Sequence, residues 1–301
     1  MAALTQVKTV VVDNGIEIFY REAYPANITG AAAIAALPII LLLHGFPSSS
    51  FQYRNLIPIL AQKYRVIAPD FPGYGFTVVP ETRHYNYTFE SLTATTAAFL
   101  DALQVRKFAV YIFDYGAPTA FRLALQRPEA VTAIISQSGN AYVEGLGQDF
   151  WSPVEKVWAN PTPENKQNLK DFITSFNATQ WQYTTGAPDP SAVPPETYNL
   201  DYYLMTRPGN ADIQLAYIVD YKTNVDLYPD FHKYFREYKP PLLAIWGKND
   251  QIFVPAGAEA YKKDLPDAVV KFVDAGHFAL ENGALEFIGN NILSFLGEHG
   301  I

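Results

Sequence analysis

The sequence contains no cysteine, which excludes disulfides, thiolate nucleophiles and cysteine-based zinc or iron–sulfur sites. Positive charge is also scarce. Against 30 Asp and Glu stand 22 Lys and Arg, a net charge of −8 that opposes a broad grip on phosphate backbones or anionic lipid. Nucleic acid is therefore not an expected partner. Long hydrophobic runs are missing too: the longest, Ala31 to Leu43, is broken by Pro38 and falls short of the roughly 18 apolar residues of a spanning helix. Strand-like, acid-bearing sequence from Thr9 to Glu22 precedes it, unlike a signal peptide. A cytoplasmic location is expected. With methionine down to 2 residues, the 20 Tyr and 20 Phe must supply much of the core and pocket lining as rigid rings, many with a hydroxyl handle.

The rest of the composition, 49% hydrophobic and 17% charged over 301 residues, is that of a globular chain with one large or two ordinary domains. Thr9–Val12 and Ile16–Arg21 read as strands joined through Asn14-Gly15, a strong hairpin signal. After a small Ala-rich insert, Pro38–Leu43 is a continuous apolar run, the pattern of a strand covered on both faces. Strand and helix patterns then alternate: a helix over Phe51–Gln62, a strand over Tyr64–Ala68, a helix over Thr88–Leu103, a strand over Lys107–Phe113, a helix over Ala117–Gln126 and a strand over Ala130–Gln137. From 143 to 239 no buried-strand run occurs; Pro240–Trp246, a helix over Ala256–Lys263, a strand over Val269–Val273 and a helix over Leu285–Leu296 resume the alternation. The expected architecture is α/β, a mostly parallel, doubly covered sheet formed by 1–142 and 240–301, with 143–239 inserted as a helical cap.

In such sheets ligands bind beyond the carboxyl ends of the strands. Three strand ends carry chemistry. Lys107–Phe113 runs into Asp114-Tyr115-Gly116-Ala117-Pro118 and then directly into a helix, the shape of a nucleophile elbow with Asp at its tip. Pro240–Trp246 ends in Gly247-Lys248-Asn249-Asp250, and Val269–Val273 ends in Asp274-Ala275-Gly276-His277. Taken singly, Asp114 reads equally as a helix cap, Asp250 as a turn residue and His277 as a structural histidine. Their order is that of nucleophile, acid and histidine. Gly73-Tyr74-Gly75 is not a dinucleotide loop, because Val78 breaks G-x-G-x-x-G, and His84, His232 and His299 lack metal-ligand spacing. No cofactor or metal is expected.

These residues resemble the α/β-hydrolase superfamily, and within it the branch of epoxide hydrolases and haloalkane dehalogenases. The resemblance rests on five ordered motifs: His44-Gly45-Phe46-Pro47, Asp70-Phe71-Pro72-Gly73-Tyr74-Gly75-Phe76-Thr77, Phe113-Asp114-Tyr115-Gly116, Trp246-Gly247-Lys248-Asn249-Asp250 and Gly276-His277-Phe278. It implies Asp114 as nucleophile, Asp250 and His277 as the remainder of a triad, and the backbone N–H groups of Phe46 and Tyr115 as an oxyanion hole. It further implies a substrate site among His44, Phe46, Tyr115, Trp158, Trp181, Tyr183, Tyr217 and Phe278. Two positions depart from the branch. Ile112 stands two before the nucleophile, where a small residue is usual, and Tyr115 stands where dehalogenases typically carry Trp.

A carboxylate attacking an acyl carbon yields a mixed anhydride, higher in energy than the starting ester, whereas attack on a saturated carbon yields an ordinary ester that His277 and water can hydrolyse. The leaving group then decides the substrate. A departing alkoxide needs a proton, and a Tyr can give one while neutral near pH 7. Asp220-Tyr221-Lys222-Thr223-Asn224 resembles, in its later part, an element of epoxide hydrolases, which makes Tyr221 the expected donor, with Tyr183 and Tyr217 as candidates for a second. Epoxide hydrolysis to a diol is the expected reaction on a small to medium apolar substrate. Haloalkane or haloacid dehalogenation, another hydrolysis or rearrangement on the same triad, and non-catalytic ligand binding are the alternatives. The expected partners are substrate and water, and a homodimer is compatible with the sequence.

Overall fold

In the computed structural model, which describes residues 4–301, the chain opens on the expected hairpin. β1 (Gln6–Val12) and β2 (Ile16–Ala23) pair antiparallel, and Asp13, Asn14 and Gly15 all take positive φ, the geometry of a tight hairpin turn. Six strands follow: β3 (Ile39–Leu43), β4 (Arg65–Pro69), β5 (Phe108–Phe113), β6 (Val131–Gln137), β7 (Leu242–Gly247) and β8 (Val269–Val273). The sheet order is β1-β2-β4-β3-β5-β6-β7-β8. β2 joins β4 antiparallel, and every pairing from β4 to β8 is parallel.

The apolar runs of β3, β5 and β7 are buried along their whole length, because helices cover both faces of the sheet. Alternate residues feed two cores. Leu41, Leu43, Val110 and Ile112 point into one, and Ile40, Leu42, Ala109, Tyr111 and Phe113 into the other, the two-residue period of a pleated strand. The helix Phe89–Ala102 starts at Thr88, whose hydroxyl accepts a hydrogen bond from Ser91 N. The helix expected over Phe51–Gln62 is instead broken into a 3-10 turn, Ser50–Tyr53, and a short helix, Ile57–Leu60. Pro58 explains the interruption: it has no N–H to donate and cannot continue a helix entering from upstream.

Between β6 and β7 the chain forms helices Gln148–Ala159, Pro163–Ile173, Phe176–Thr184, Pro195–Met205, Asn210–Asp220, Lys222–Asp226 and Tyr228–Tyr238. Side-chain bonds fasten this segment to the sheet layer at several places, among them a pair at each of two edges. On one side Asn282 Nδ2 donates to Tyr183 O at 2.9 Å and Asn249 Nδ2 to Gly186 O at 3.0 Å. On the other, Phe89 N donates to Asp220 Oδ2 at 2.7 Å and Arg122 Nε to Asn224 Oδ1 at 2.8 Å. Among the described residues no helix is long and apolar enough to cross a membrane.

Candidate active site

The ends of β5, β7 and β8 bring Asp114, Asp250 and His277 together beneath the helical segment. Asp114 sits at φ 49°, a left-handed conformation that Asp tolerates better than most residues but that still costs about 1 kcal/mol or more. The elbow is held from below by Ala117 N donating to Asp114 O at 3.0 Å. Its carboxyl is divided between two environments. Oδ1 accepts hydrogen bonds from the backbone N–H of Phe46 and of Tyr115, each at 2.7 Å, while Oδ2 faces His277 Nε2 at 3.9 Å. Close approach of the loop after β3 depends on Gly45, where a Cβ would lie 2.2 Å from Asp114 Oδ1.

Ile112 is accommodated from across the sheet. A Cβ on Gly139 would lie 2.7 Å from Ile112 Cγ1, so the missing side chain of Gly139 makes room for the bulk that the elbow usually avoids.

His277 Nδ1 lies 3.0 Å from Asp250 Oδ2. The same oxygen accepts from Ser138 Oγ at 2.7 Å, and Oδ1 accepts from Ile252 N at 2.9 Å and Phe253 N at 3.1 Å. Both Asp250 oxygens are thus held by hydrogen bonds, which fixes the carboxyl group against the imidazole. Gln137 adds a bond from Nε2 to His277 O at 2.7 Å, and Tyr111 in turn donates to Gln137 Oε1 at 2.9 Å. Ser138 and Gln137 were not singled out by sequence. Their signal was available, since they stand at the carboxyl end of β6. His277 Nε2 is buried without a hydrogen-bond partner among the described residues. Burial pushes the Asp114 carboxyl up to about 6, against the opposing pull of His277 and of its two N–H donors.

The remaining expected site residues separate into two groups. Tyr221 and Tyr217 come close to the nucleophile: their rings lie 5.7 Å and 6.4 Å from that of Tyr115. The Tyr217 hydroxyl donates to Pro72 O at 3.1 Å, and that of Tyr221 has only a long contact, 3.5 Å, with Tyr228. Tyr228 accepts from Asn140 Nδ2 at 3.2 Å. Phe46 packs against Tyr115, with ring centroids 6.1 Å apart.

The other group is committed elsewhere. His44 has both ring nitrogens engaged, Nδ1 with Gly45 O at 3.1 Å and Nε2 accepting from Phe71 N at 2.9 Å; burial lowers its pKa to about 3, so it is a neutral brace between two loops. Tyr183 stacks on Phe278 at 3.7 Å, and its hydroxyl donates to the Asp201 carboxyl beside Ser48. Phe278 in turn packs on Phe113. Trp158 stands behind Trp151 with its indole N–H directed to Ile218 O at 3.4 Å, and Trp181 is a half-buried ring against the core. Sequence could not separate these groups, because hydroxyl and indole direction is set by tertiary packing. Among the described residues no group of three or more His, Cys, Asp or Glu side chains is arranged to hold a metal ion.

The chain is similar to known proteins. A family profile described as alpha/beta hydrolase fold matches residues 38–284. An uncharacterized hydrolase of Saccharomyces cerevisiae is 45% identical over 292 residues, spanning 96% of this chain and 97% of that protein. Among solved structures, the haloalkane dehalogenase DbeA of Bradyrhizobium elkani aligns at a TM-score of 0.76 and 21% identity, covering 99% of each chain. The epoxide hydrolase CorEH aligns at 0.75 and 18%, covering 98% of this chain and 99% of that one. At these identities the two structural likenesses establish the fold.

Proposed function

The chain belongs to the α/β-hydrolase fold family, and within that family of hydrolases we propose that it opens an epoxide to a diol through an ester on Asp114. The observation that carries this reading is the divided carboxyl: Oδ1 in a cradle of two backbone N–H groups, Oδ2 turned toward His277. Oδ2 is the attacking atom. It forms a bond to a saturated ring carbon while the carbon–oxygen bond of the ring breaks, and Oδ1 becomes the carbonyl oxygen of the ester. Water, deprotonated by His277 Nε2, then adds to that carbonyl carbon; as the adduct collapses the Cγ–Oδ2 bond breaks, Oδ2 leaves with the diol, and that oxygen takes back the proton held by His277. The charge that develops on Oδ1 falls between the N–H donors of Phe46 and Tyr115, which need no rearrangement to receive it. Asp250 orients the imidazole and balances its charge while it holds the proton.

An oxygen leaving group fits better than a halide. Halide departure is helped by N–H donors, and three of the four indole N–H groups, those of Trp151, Trp158 and Trp246, are directed at backbone carbonyls, which leaves only Trp181 among the described residues. Tyr221 remains the lid residue best suited to donate a proton, because its hydroxyl has only the long contact with Tyr228.

A single turnover of styrene oxide in ¹⁸O water tests the route. The expected result is label in the Asp114 peptide and none in the first diol released. Label in the diol with Asp114 unlabelled means direct attack by water and removes the ester. Faster bromide release from short bromoalkanes than diol formation would reassign the enzyme to dehalogenation.

Activity should also report the state of the nucleophile. Only the ionised carboxylate attacks, and burial raises its pKa from 3.8 to about 6. In the free enzyme kcat/KM should therefore hold above pH 6 and fall roughly tenfold per pH unit below it. A profile flat to pH 4 would mean that the Asp114 carboxyl keeps its ordinary value and is not raised by burial.

A further inference from the structure

Two buried phenols in the site are unused by the scheme above, and neither belongs to the helical segment. Tyr115 follows the nucleophile directly and Tyr74 lies in the loop after β4; they are 2% and 3% exposed, and neither hydroxyl has a hydrogen-bond partner among the described residues. An orphaned hydroxyl in a protein interior costs about 1–3 kcal/mol. Other tyrosines around them avoid that cost: Tyr217 bonds Pro72 O, Tyr53 bonds Leu43 O and Tyr111 bonds Gln137. The third orphan near the nucleophile is His277 Nε2, which the reaction requires to be free. Both phenols are close enough to Asp114 to feel its charge, and Tyr74 also feels Tyr115.

Resting on the ester route, we propose that Tyr115 and Tyr74 are catalytic residues that bind the leaving oxygen and protonate it, so that the acid of this enzyme is carried by the sheet layer beside the nucleophile. As Asp114 Oδ2 bonds to carbon, the ring oxygen takes the electron pair of the broken bond and receives the proton of one phenol, while the second donates a hydrogen bond to it. The resulting phenolate recovers its proton from the Asp114 carboxylic acid that ester hydrolysis releases, which restores both groups. Burial above all, and the Asp114 charge in addition, hold both phenols protonated in the resting enzyme; alkylation lifts the second effect and leaves the first. A departing halide takes no proton, so the transfer favours an oxygen leaving group and makes Tyr115 a specificity determinant.

The test measures Asp114 ester formation from styrene oxide by rapid quench and peptide mass, in the parent and in Tyr115→Phe, Tyr74→Phe and Tyr221→Phe. Each core substitution should slow ester formation roughly 100-fold, the lower range for loss of a general acid, and the pair together should slow it further. Hydrolysis of the ester once formed should be unchanged. The melting temperature should be equal or higher, since each substitution deletes a hydroxyl without a partner; a structural role would lower it. Ester formation at the parental rate in both core variants overturns the proposal, as does a loss confined to Tyr221→Phe. If the parent forms no ester, the ester route itself fails.

Discussion

Asp114→Asn is expected to abolish epoxide turnover, by about 10⁴-fold or more as for other nucleophiles acting within a triad, and at the same time to make the protein more stable. The second effect follows from the site's electrostatics. Burial outweighs the N–H donors and His277, so the native carboxyl titrates at about 6 against 3.8 for the ordinary group. A native pKa above the unfolded one means that the folded state binds more protons between those values, and stability falls as pH rises through that window. Above pH 6 the deficit is complete, at most about 3 kcal/mol for a shift of this size. Asn avoids it and keeps an oxygen for the N–H groups of Phe46 and Tyr115, while its amide can turn toward the unpartnered His277 Nε2. A gain of about 1–2 kcal/mol, or roughly 2–8 °C in melting temperature, is expected at pH 8. It should shrink as pH falls through that window and vanish near pH 3, below both the folded and the unfolded value. Calorimetry at the two pH values measures it, and equal melting temperatures at pH 8 would mean that the burial of Asp114 costs nothing.

His277→Gln should separate the two halves of the reaction. Attack by Asp114 does not need the imidazole, so one equivalent of substrate is consumed rapidly and the protein gains its mass. Hydrolysis does need a base, and steady-state turnover should fall about 10²- to 10⁴-fold. Gln retains an amide that can donate to Asp250 Oδ2, which limits collapse of the site. Since His277 pulls the Asp114 pKa down, its loss should also move the acid limb of ester formation to higher pH. Normal steady-state activity in this variant would remove His277 from the role of base.

What sequence disclosed, and what it did not, follows the range of the forces involved. Apolar runs such as Ile39–Leu43 and Leu242–Gly247 announce strands covered on two faces because burial is written in each residue. The meeting of Asp114, Asp250 and His277 in space was legible because each follows a strand, and the topology of a parallel sheet gathers strand ends. The broken helix over 51–62 was missed although Pro58 stood in plain view. Tyr74 was read as part of a failed dinucleotide loop and of the Asp70–Thr77 motif but not as an acid, because nothing local shows that its hydroxyl lacks a partner. The same holds for Tyr183, whose place as a site residue or as a partner of Asp201 is decided by residues distant in sequence.

The two sets of bonds that fasten the helical segment bear on how substrate gets in. One set, Asn282 to Tyr183 and Asn249 to Gly186, reaches out from the loops flanking His277 and Asp250; the other, Phe89 to Asp220 and Arg122 to Asn224, holds the opposite side. A flap held along one edge swings freely, whereas a cover tacked down at both must break the bonds of one edge before it lifts, at about 1 kcal/mol for each bond.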